Sequence, residues 1–407
     1  AILHDGSNSV NSNVTIGDNV SLKADITNGQ VGAKNHASGL NNQKGDVVNA
    51  GDSLYIEATS ITQADGARAR VDAVNNLYGA ETAIGDDLVI AAKAKGTTGE
   101  IKSYAVYNYQ SEFKTGANAV ITTSAAGNAD NSNVNAWAVI NQDNSQMTFG
   151  DNVKIQARAS ESGLSVAVLN QTDSIVDFEG SLYVDGEGFS LYSTGGAVTN
   201  ALAAGKDKIL IGDMYSNSDG QINVLLDMAD SLFEGAALIG TAGGEINFTM
   251  SDLSLWRMLG DSSVTALAVS SGAIVDMTQY DDYQQLEISE LSGSGGEFIM
   301  KTDLASETDG DKLYVTDAAA GTSQFVQVND VSIINGAVVT GDKKLLLITD
   351  ASKNVEFIGK NLNNGGLWDI TPTLENGLAV GGSEEEWYLT KLRKEANNDT
   401  SVLLGAA

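Results

Sequence analysis

Residues that commonly carry catalysis are scarce in this chain. Its 407 residues include no cysteine and two histidines, His4 and His36. Without thiols the chain has no disulfide, no thiolate zinc site and no cysteine nucleophile. Both histidines lie in polar surroundings without metal-ligand spacing, which indicates exposed surface residues. We therefore predict no catalytic residue, no cofactor and no metal site.

Serine and carboxylate chemistry are the other options. Two Gly-Asp-Ser tripeptides begin at Gly51 and Gly260, but in the first the aspartate occupies the turn of a repeat described below. Polysaccharide-cleaving β-helices place Asp or Glu with a basic residue in a groove. The chain has 53 Asp and Glu but only 23 Lys and Arg, with Arg68, Arg70 and Arg158 as the candidate partners. An enzyme acting on polysaccharides is therefore the alternative, and a net charge of -30 argues against nucleic-acid or anionic-membrane binding.

The chain repeats a short motif every thirty-odd residues, and the first Gly-Asp-Ser tripeptide is part of this repeat. A Gly-Asp or related pair followed by an aliphatic residue recurs with glycine spacings of 34, 34, 31, 34, 30 and 32. A fixed period in this range is typical of a solenoid. The glycines that open the copies are Gly17, Gly51, Gly85, Gly116, Gly150, Gly180 and Gly212. The accompanying Asp18, Asp52, Asp86 and Asp151 could share calcium ions, but we predict that they favour the turn geometry.

Each copy contains the pattern of three short strands. Val153 to Ala159 alternates apolar and polar residues, Leu164 to Gln171 is a second strand, and Ser174 to Phe178 is a third. Turn residues separate the strands. The prediction is an all-β fold, a right-handed three-stranded parallel β-helix. Its interior would hold two apolar columns, one of Val20, Leu54, Leu88, Val120 and Val153, the other of Val74, Val106, Val139, Val168 and Val198.

A second motif, Ala-Val-x-Asn, recurs in step with the first and has a degenerate copy at Gly39 to Asn42. Its asparagines follow the inward valines by two positions, so alternation points them inward. Stacked amides can then hydrogen-bond from coil to coil. The predicted structural ladder is Asn76, Asn108, Asn141, Asn170 and Asn200. By the same alternation Tyr104 and Trp137 should fill the core, with a surface pair for sugar stacking as the alternative.

The C-terminal third has a different pattern. Leu291, Gly293, Gly295 and Phe298 form a glycine-rich strand, followed by Asp303-Leu304 and Gly310-Asp311-Lys312-Leu313-Tyr314-Val315. An aliphatic strand, Lys344 to Thr349, and a terminal Trp387-Tyr388-Leu389 complete the set. In this order the motifs resemble the passenger domain of a monomeric, type Va autotransporter of the pertactin and antigen-43 kind. One extra residue separates Gly295 from Phe298 relative to the family pattern.

The resemblance implies a bacterial protein exported through an outer-membrane β-barrel that this chain does not contain. It also implies that the C-terminal segment is a stable cap, the autochaperone, while residues 1–285 form the β-helix coils and residues 286–407 the cap. A solenoid end must in any case be covered. The predicted cap residues are Trp368, Trp387, Tyr388 and Leu389.

A non-enzymatic cell-surface adhesin is the function that this reading favours. Its partner would be a host surface protein or glycan, or a copy of itself on a neighbouring cell. Loops on a rigid scaffold often carry binding function. The segments Ile26 to Ala37 and Thr59 to Val71 interrupt the minimal repeat, and the second contains Arg68 and Arg70, our candidate binding residues. A structural spacer is the remaining alternative.

Overall fold

The computed structural model describes residues 2–3, 12–128, 131, 133–160, 162–334, 343–362 and 368–397. In these ranges the regular structure is β-strand except for two single-turn helices, α1 (Val331–Ile334) and α2 (Gly377–Val380). No helix in them is long and apolar enough to cross a membrane. The chain divides into two compact units, Ala1–Leu225 with Ile239–Glu245, and Leu226–Leu238 with Ile246–Ala407.

The first unit repeats a coil of three strands, and each strand pairs in parallel with its counterpart one coil away. The short strands are β2 (Asn13–Ile16), β5 (Val47–Ala50), β8 (Glu81–Ile84), β11 (Glu112–Thr115), β14 (Gln146–Phe149), β17 (Ile175–Phe178), β19 (Val198–Ala201) and β21 (Gln221–Leu226). The middle strands are β3 (Ser21–Asn28), β6 (Tyr55–Thr62), β9 (Val89–Lys95), β12 (Val120–Ala126) and β15 (Val153–Ala159).

The third strands of the coils, called asparagine strands below, are β4 (Lys34–Gln43), β7 (Arg68–Leu77), β10 (Ile101–Tyr109), β13 (Val134–Gln142) and β16 (Leu164–Gln171). β1 (Ile2–Leu3) pairs with β4. β18 (Leu182–Thr194) continues both the middle and the asparagine strands, and β20 (Lys208–Asn217) pairs with it. This arrangement confirms the predicted three-stranded parallel β-helix.

Inward residues of successive coils form the predicted apolar columns, with one correction in the first. Leu54, Leu88 and Val153 are buried, but Val120 is only half-buried and lies in register with Lys154. Ala119, which is fully buried, takes the inward place instead. Ala119 follows Gly116 by three positions, as Leu54 and Leu88 follow their glycines, whereas Val120 follows it by four, so the prediction was one residue out of step.

The Gly-Asp pairs form the turn between short and middle strands. The Oδ1 atom of Asp52 accepts a hydrogen bond from the backbone N–H of Asp86 one coil later (2.9 Å), and Asp18 does the same for Asp52 (3.1 Å). A Cβ on Gly85 would lie 2.2 Å from Asp52 Oδ1, so glycine leaves room for the preceding carboxylate. The predicted turn role of these aspartates therefore has a physical basis, since each joins one coil to the next.

The turn glycines should differ in their tolerance of alanine according to what lies one coil before. A Cβ on Gly150 would lie 2.6 Å from the carbonyl oxygen of Gly116, a backbone atom, whereas a Cβ on Gly17 meets nothing within 4 Å. We expect Gly150→Ala to lower the free energy of unfolding by about 1–3 kcal/mol, because neighbouring coils must separate. Chemical denaturation should show Gly17→Ala close to wild type, and equal losses in both variants would contradict this account.

The asparagines form a hydrogen-bonded column inside the first unit. Nδ2 donates to the next Oδ1 from Asn42 to Asn76 (3.2 Å), Asn76 to Asn108 (2.8 Å), Asn108 to Asn141 (2.8 Å) and Asn141 to Asn170 (3.1 Å). All five side chains are fully buried. The same Nδ2 atoms also donate to backbone carbonyls at the adjoining turns, as Asn108 does to Ser111 (2.9 Å).

Asn200 lies outside this column, which corrects the prediction. It belongs to the short strand β19, where its Nδ2 donates to Asp177 Oδ1 (2.8 Å). The position in register with Asn170 is Ser193, and the place of the predicted Val198 in the valine column is taken by Leu191. An Ala-Val-x-Asn sequence in a short strand imitates the motif, so the spacing alone could not separate the two strands.

A bend in each asparagine strand breaks the alternation of inward and outward residues. Ala105 and Val106 are both fully buried, and Ser103 accepts a hydrogen bond from Thr123 of a middle strand (2.8 Å). Two consecutive inward residues place Tyr104 on the outer face, where the guanidinium of Arg70 lies 5.3 Å from its ring centroid. Trp137 stacks on Tyr104 at 5.2 Å. The predicted inward direction of this pair is therefore wrong, although Tyr104 is buried at 5% exposure in a second hydrophobic cluster against which Trp137 packs.

The second unit contains two parallel ladders. One consists of β22 (Leu232–Glu234), β25 (Leu255–Arg257), β27 (Ile274–Asp276), β29 (Ser294–Thr302), β31 (Thr322–Asp330) and β33 (Val355–Gly359). The other consists of β24 (Glu245–Met250), β26 (Ser262–Val269), β28 (Gln285–Ser292), β30 (Lys312–Ala318) and β32 (Leu345–Asp350). β23 (Ala237–Ile239) precedes β24. The division proposed between residues 285 and 286 falls inside β28 and stays a prediction.

An antiparallel hairpin covers the end of the second ladder. β35 (Glu386–Ala396) pairs with β32 on one side and with β34 (Trp368–Asn376) on the other. Leu389 is fully buried opposite Leu345, while Trp387 and Tyr388 are half-buried and Trp387 contacts Phe357 edge to face at 5.7 Å. Trp368 begins β34, but its side chain lies outside the described residues. The hairpin covers the edge of β32 that the parallel ladder leaves open, as a cap must, and β34 becomes the last strand of the sheet.

Candidate functional site

The outer face of the asparagine strands collects the aromatic residues of the first unit. Because coils pair in register, outward side chains stack into columns, one of which contains Asp72, Tyr104, Trp137, Val166 and Phe189. The neighbouring column, on the other side of the bend, contains Asn75, Tyr107, Ile140, Leu169, Tyr192 and Tyr215.

These columns meet in one cluster, which we call the aromatic patch. Its members are Tyr104, Tyr107, Trp137, Ile140, Val166, Leu169, Phe189, Tyr192 and Tyr215. Ring centroids lie 6.3 Å apart between Tyr104 and Tyr107, and 4.8 Å apart between Tyr192 and Tyr215. Tyr107, Trp137, Phe189, Tyr192 and Tyr215 remain partly exposed. Burial raises the pKa of Tyr104, Tyr107 and Tyr192, so their hydroxyls stay protonated at neutral pH.

Next to the patch lies a shallow cavity of about 180 Å³, which we call the basic pocket. Its lining residues are Lys34, Asn35, His36, Arg68, Ala69, Arg70, Glu100 and Lys102. They come from the first residues of three neighbouring asparagine strands, β4, β7 and β10, and from Glu100 just before β10. Arg70 belongs to both surfaces, since it lines the pocket and covers the ring of Tyr104.

One buried carboxylate fixes two of the pocket's side chains. Asp72 is 1% exposed, and its oxygens accept from Arg70 Nε at 3.0–3.1 Å and lie 2.6 Å from His36 Nε2. Burial opposes the charge on Arg70, but the attraction of Asp72 outweighs it and raises the pKa of the guanidinium. The arginine is therefore held in one place with its charge retained.

The second carboxylate of the pocket, Glu100, sits between two cations. Arg68 lies 3.6 Å from it, and Lys102 forms a closer ion pair with it. The hydrogen bond from Lys102 lowers the pKa of Glu100. Partial burial opposes this effect, and the charges of Lys102 and Arg68 add to it. Lys34, in register with Arg68, has no ion-pair partner among the described residues. The pocket thus presents more positive than negative groups.

The structure brings Arg68 and Arg70 together but not in the predicted loop. Both lie at the start of β7 with partly exposed side chains. Sequence reasoning missed Lys34, Asp72 and Lys102, because they come from different coils and meet only through the pairing register. His36 was predicted as an exposed surface residue; its side chain is 51% exposed, with Asp72 as its partner, whereas His4 lies outside the described residues.

The residues considered for catalysis take part in a turn, a backbone hydrogen bond and an ion pair. Asp52 and Ser53 form a turn, with Ser53 at φ 59°, and Asp261 Oδ1 accepts from the N–H of Gln285 (2.8 Å). Arg158 pairs with Asp185 through both terminal nitrogens, so that carboxylate is engaged. Within the described ranges no group of three His, Cys, Asp or Glu side chains could hold a metal ion.

Sequence comparisons find similarity to a protein family and to a curated relative. The sequence profile of the Pertactin family matches residues 264–391, which run from within β26 to the middle of β35. The autotransporter adhesin/invasin TibA of Escherichia coli O78:H11 is 28% identical over 229 residues. That match covers 54% of this chain and 21% of the relative, so the chain spans about a fifth of its length.

Among solved structures, the crystal structure of the autotransporter UpaB from E. coli strain CFT073 is similar, with a TM-score of 0.46 and 12% identity. The alignment covers 96% of this chain and 99% of that one. The family profile and the curated relative, together with the capped parallel β-helix, support the identification of this chain as a passenger domain of a type Va autotransporter, the part that such proteins export to the cell surface or the extracellular space.

Proposed function

We propose that this passenger is a non-enzymatic adhesin that attaches the cell to a host surface component or to copies of itself on neighbouring cells. The relative TibA is named an adhesin/invasin, which supports this class of function. The structural support comes from the aromatic patch and the basic pocket, which form one surface on the outer face of the asparagine strands.

The composition of that surface is the observation that carries the proposal. Tyrosine, tryptophan and arginine dominate the energetically important residues of protein interfaces. Here Tyr107, Trp137, Tyr192 and Arg70 lie on one face of an otherwise acidic and polar repeat. Trp137 Nε1 is buried without a hydrogen-bond partner among the described residues. An apolar cluster of this kind on an outer surface is a mark of an interaction site.

Repetition of the coil suits adhesion. Neighbouring coils hold the outward side chains in register about 4.8 Å apart, so a ligand can contact several coils at once. Many weak contacts then add along the surface. The strands are paired on both sides, which keeps the surface rigid and reduces the conformational entropy lost on binding.

Cell adhesion tests the proposal directly. Cells displaying the passenger should settle faster than cells without it or bind more to host cell layers, and the double substitution Tyr107→Ser with Tyr192→Ser should reduce the effect several-fold. Tyr314→Ser is the matched control, because Tyr314 is 38% exposed on β30 of the second unit. Cells that neither settle nor attach would favour the structural spacer, and cleavage of a polysaccharide would favour the enzyme.

A further inference from the structure

We propose that the basic pocket, with the adjoining aromatic patch, binds an acidic polysaccharide whose carboxylate or sulfate groups occupy the pocket. This inference rests on the proposed adhesive function and names the chemical class of its ligand. The occupant is chosen from the charge of the pocket, the donors it offers and the pairing of the strands that form it.

The charge of the pocket is opposite to that of the chain. Four of the chain's 23 Lys and Arg residues line this one cavity, while the whole chain has a net charge of -30. At physiological ionic strength charges are screened over about 8 Å, so a ligand in the pocket responds mainly to the nearby cations. An anionic ligand is therefore attracted to the pocket although the chain as a whole is acidic.

The donors in the pocket are positioned and still available. Asp72 engages Arg70 through Nε, and the guanidinium continues to line the cavity. The 3.6 Å contact of Arg68 with Glu100 is loose, and Lys34 brings a charge without an ion-pair partner among the described residues. Guanidinium groups bind carboxylate and sulfate oxygens with two parallel hydrogen bonds.

The backbone around the pocket favours a polysaccharide over a peptide. An extended peptide gains most of its affinity by adding to a free strand edge. β7 pairs with β4 on one side and with β10 on the other, so it offers no edge. What remains for the ligand is side chains: cations in the pocket, and tyrosine hydroxyls in the patch that suit the hydroxyl groups of a sugar chain.

Binding to three polysaccharides tests the inference. We would measure binding of the whole passenger to dextran sulfate, polygalacturonate and neutral dextran by biolayer interferometry at physiological ionic strength. We expect binding to one or both polyanions, with the stronger one distinguishing sulfate from carboxylate, and none to neutral dextran. The double substitution Lys34→Gln with Arg68→Gln should weaken polyanion binding roughly tenfold, a loss of about 1.4 kcal/mol in binding free energy.

The matched control is Lys391→Gln with Arg393→Gln on β35. It removes the same two charges from exposed positions, and Arg393 also lies 3.6 Å from a glutamate, Glu395. It should bind like wild type. The single substitution Lys34→Gln serves if the double variant does not fold, because Lys34 is exposed.

Three results would overturn the inference: no binding to either polyanion, equal losses in test and control variants, or tighter binding of a polyglutamate peptide. Adhesion that persists without polyanion binding would leave the proposed function standing and refute only the ligand class.

Discussion

Replacing Asn108 by alanine is expected to lower the free energy of unfolding of the first unit by about 3 kcal/mol. The amide of Asn108 is fully buried, accepts from Asn76 and donates to Asn141, both at 2.8 Å. Its loss leaves Asn141 Oδ1 without its donor, takes a donor from the carbonyl of Gln146, 3.1 Å away, and opens a cavity. Hydrogen exchange measured by mass spectrometry on peptides of β10 and β13 should accelerate by roughly a hundredfold.

Asn118→Gly provides the control for this experiment. Asn118 is exposed, yet its amide makes the same two kinds of contact, donating to Asp87 (2.9 Å) and accepting from Asn152 (2.8 Å). Glycine keeps its φ of 59° without strain. We expect a change within about 0.5 kcal/mol. If the two variants lose similar stability, burial is not what makes the column important.

The second large effect is expected at the cap. Leu389 is fully buried in β35, in register with Leu345 of β32 and Leu374 of β34. Leu389→Ala should cost about 3 kcal/mol, because the cavity cannot close between three paired strands. Amide exchange in peptides covering β32 and β35 should accelerate strongly, and that of β13 should not.

Tyr388→Ala is the control for Leu389→Ala. It tests whether the buried side chain of Leu389, in addition to strand pairing, stabilises the cap. Tyr388 precedes Leu389 on the same strand and points to the other side, where it is half-buried and its hydroxyl donates to Glu386 (3.0 Å). We expect a loss of at most about 1 kcal/mol. A cap that survives Leu389→Ala unchanged would show that strand pairing alone holds it.

The period of the repeat was enough to predict the fold, because each copy contains the same strand and turn pattern. Register was harder to predict. The coil after Asn170 contains Asp185, Gly186 and Glu187, where the pairing of β18 with β20 shifts, so the spacing to the next motif changes. Asn200 was assigned by its motif alone. Its residue type does not indicate whether it lies in a short strand or in an asparagine strand.

The candidate site was largely hidden in the sequence. Tyr104 and Trp137 were placed inside because strict alternation ignores the bend at Ala105 and Val106. The consecutive buried pair Ala-Val, repeated in each coil, is the signal that could have revealed that bend. His36 and Asp72 are separated by 36 positions and meet only because one coil lies directly beside the next.

The amide column has a consequence for how such chains change in evolution. Each asparagine donates its Nδ2 to the Oδ1 of the following coil and accepts at its own Oδ1 from the preceding coil, and each turn aspartate accepts from a backbone N–H of the following coil. Duplication or deletion of one whole period therefore restores every contact at the new junction. Insertions within the paired strands shift the register and break both series, whereas the column already spans separations of 34, 32, 33 and 29 residues through unequal loops. Lineages of this protein should therefore differ by complete periods or by loops between strands.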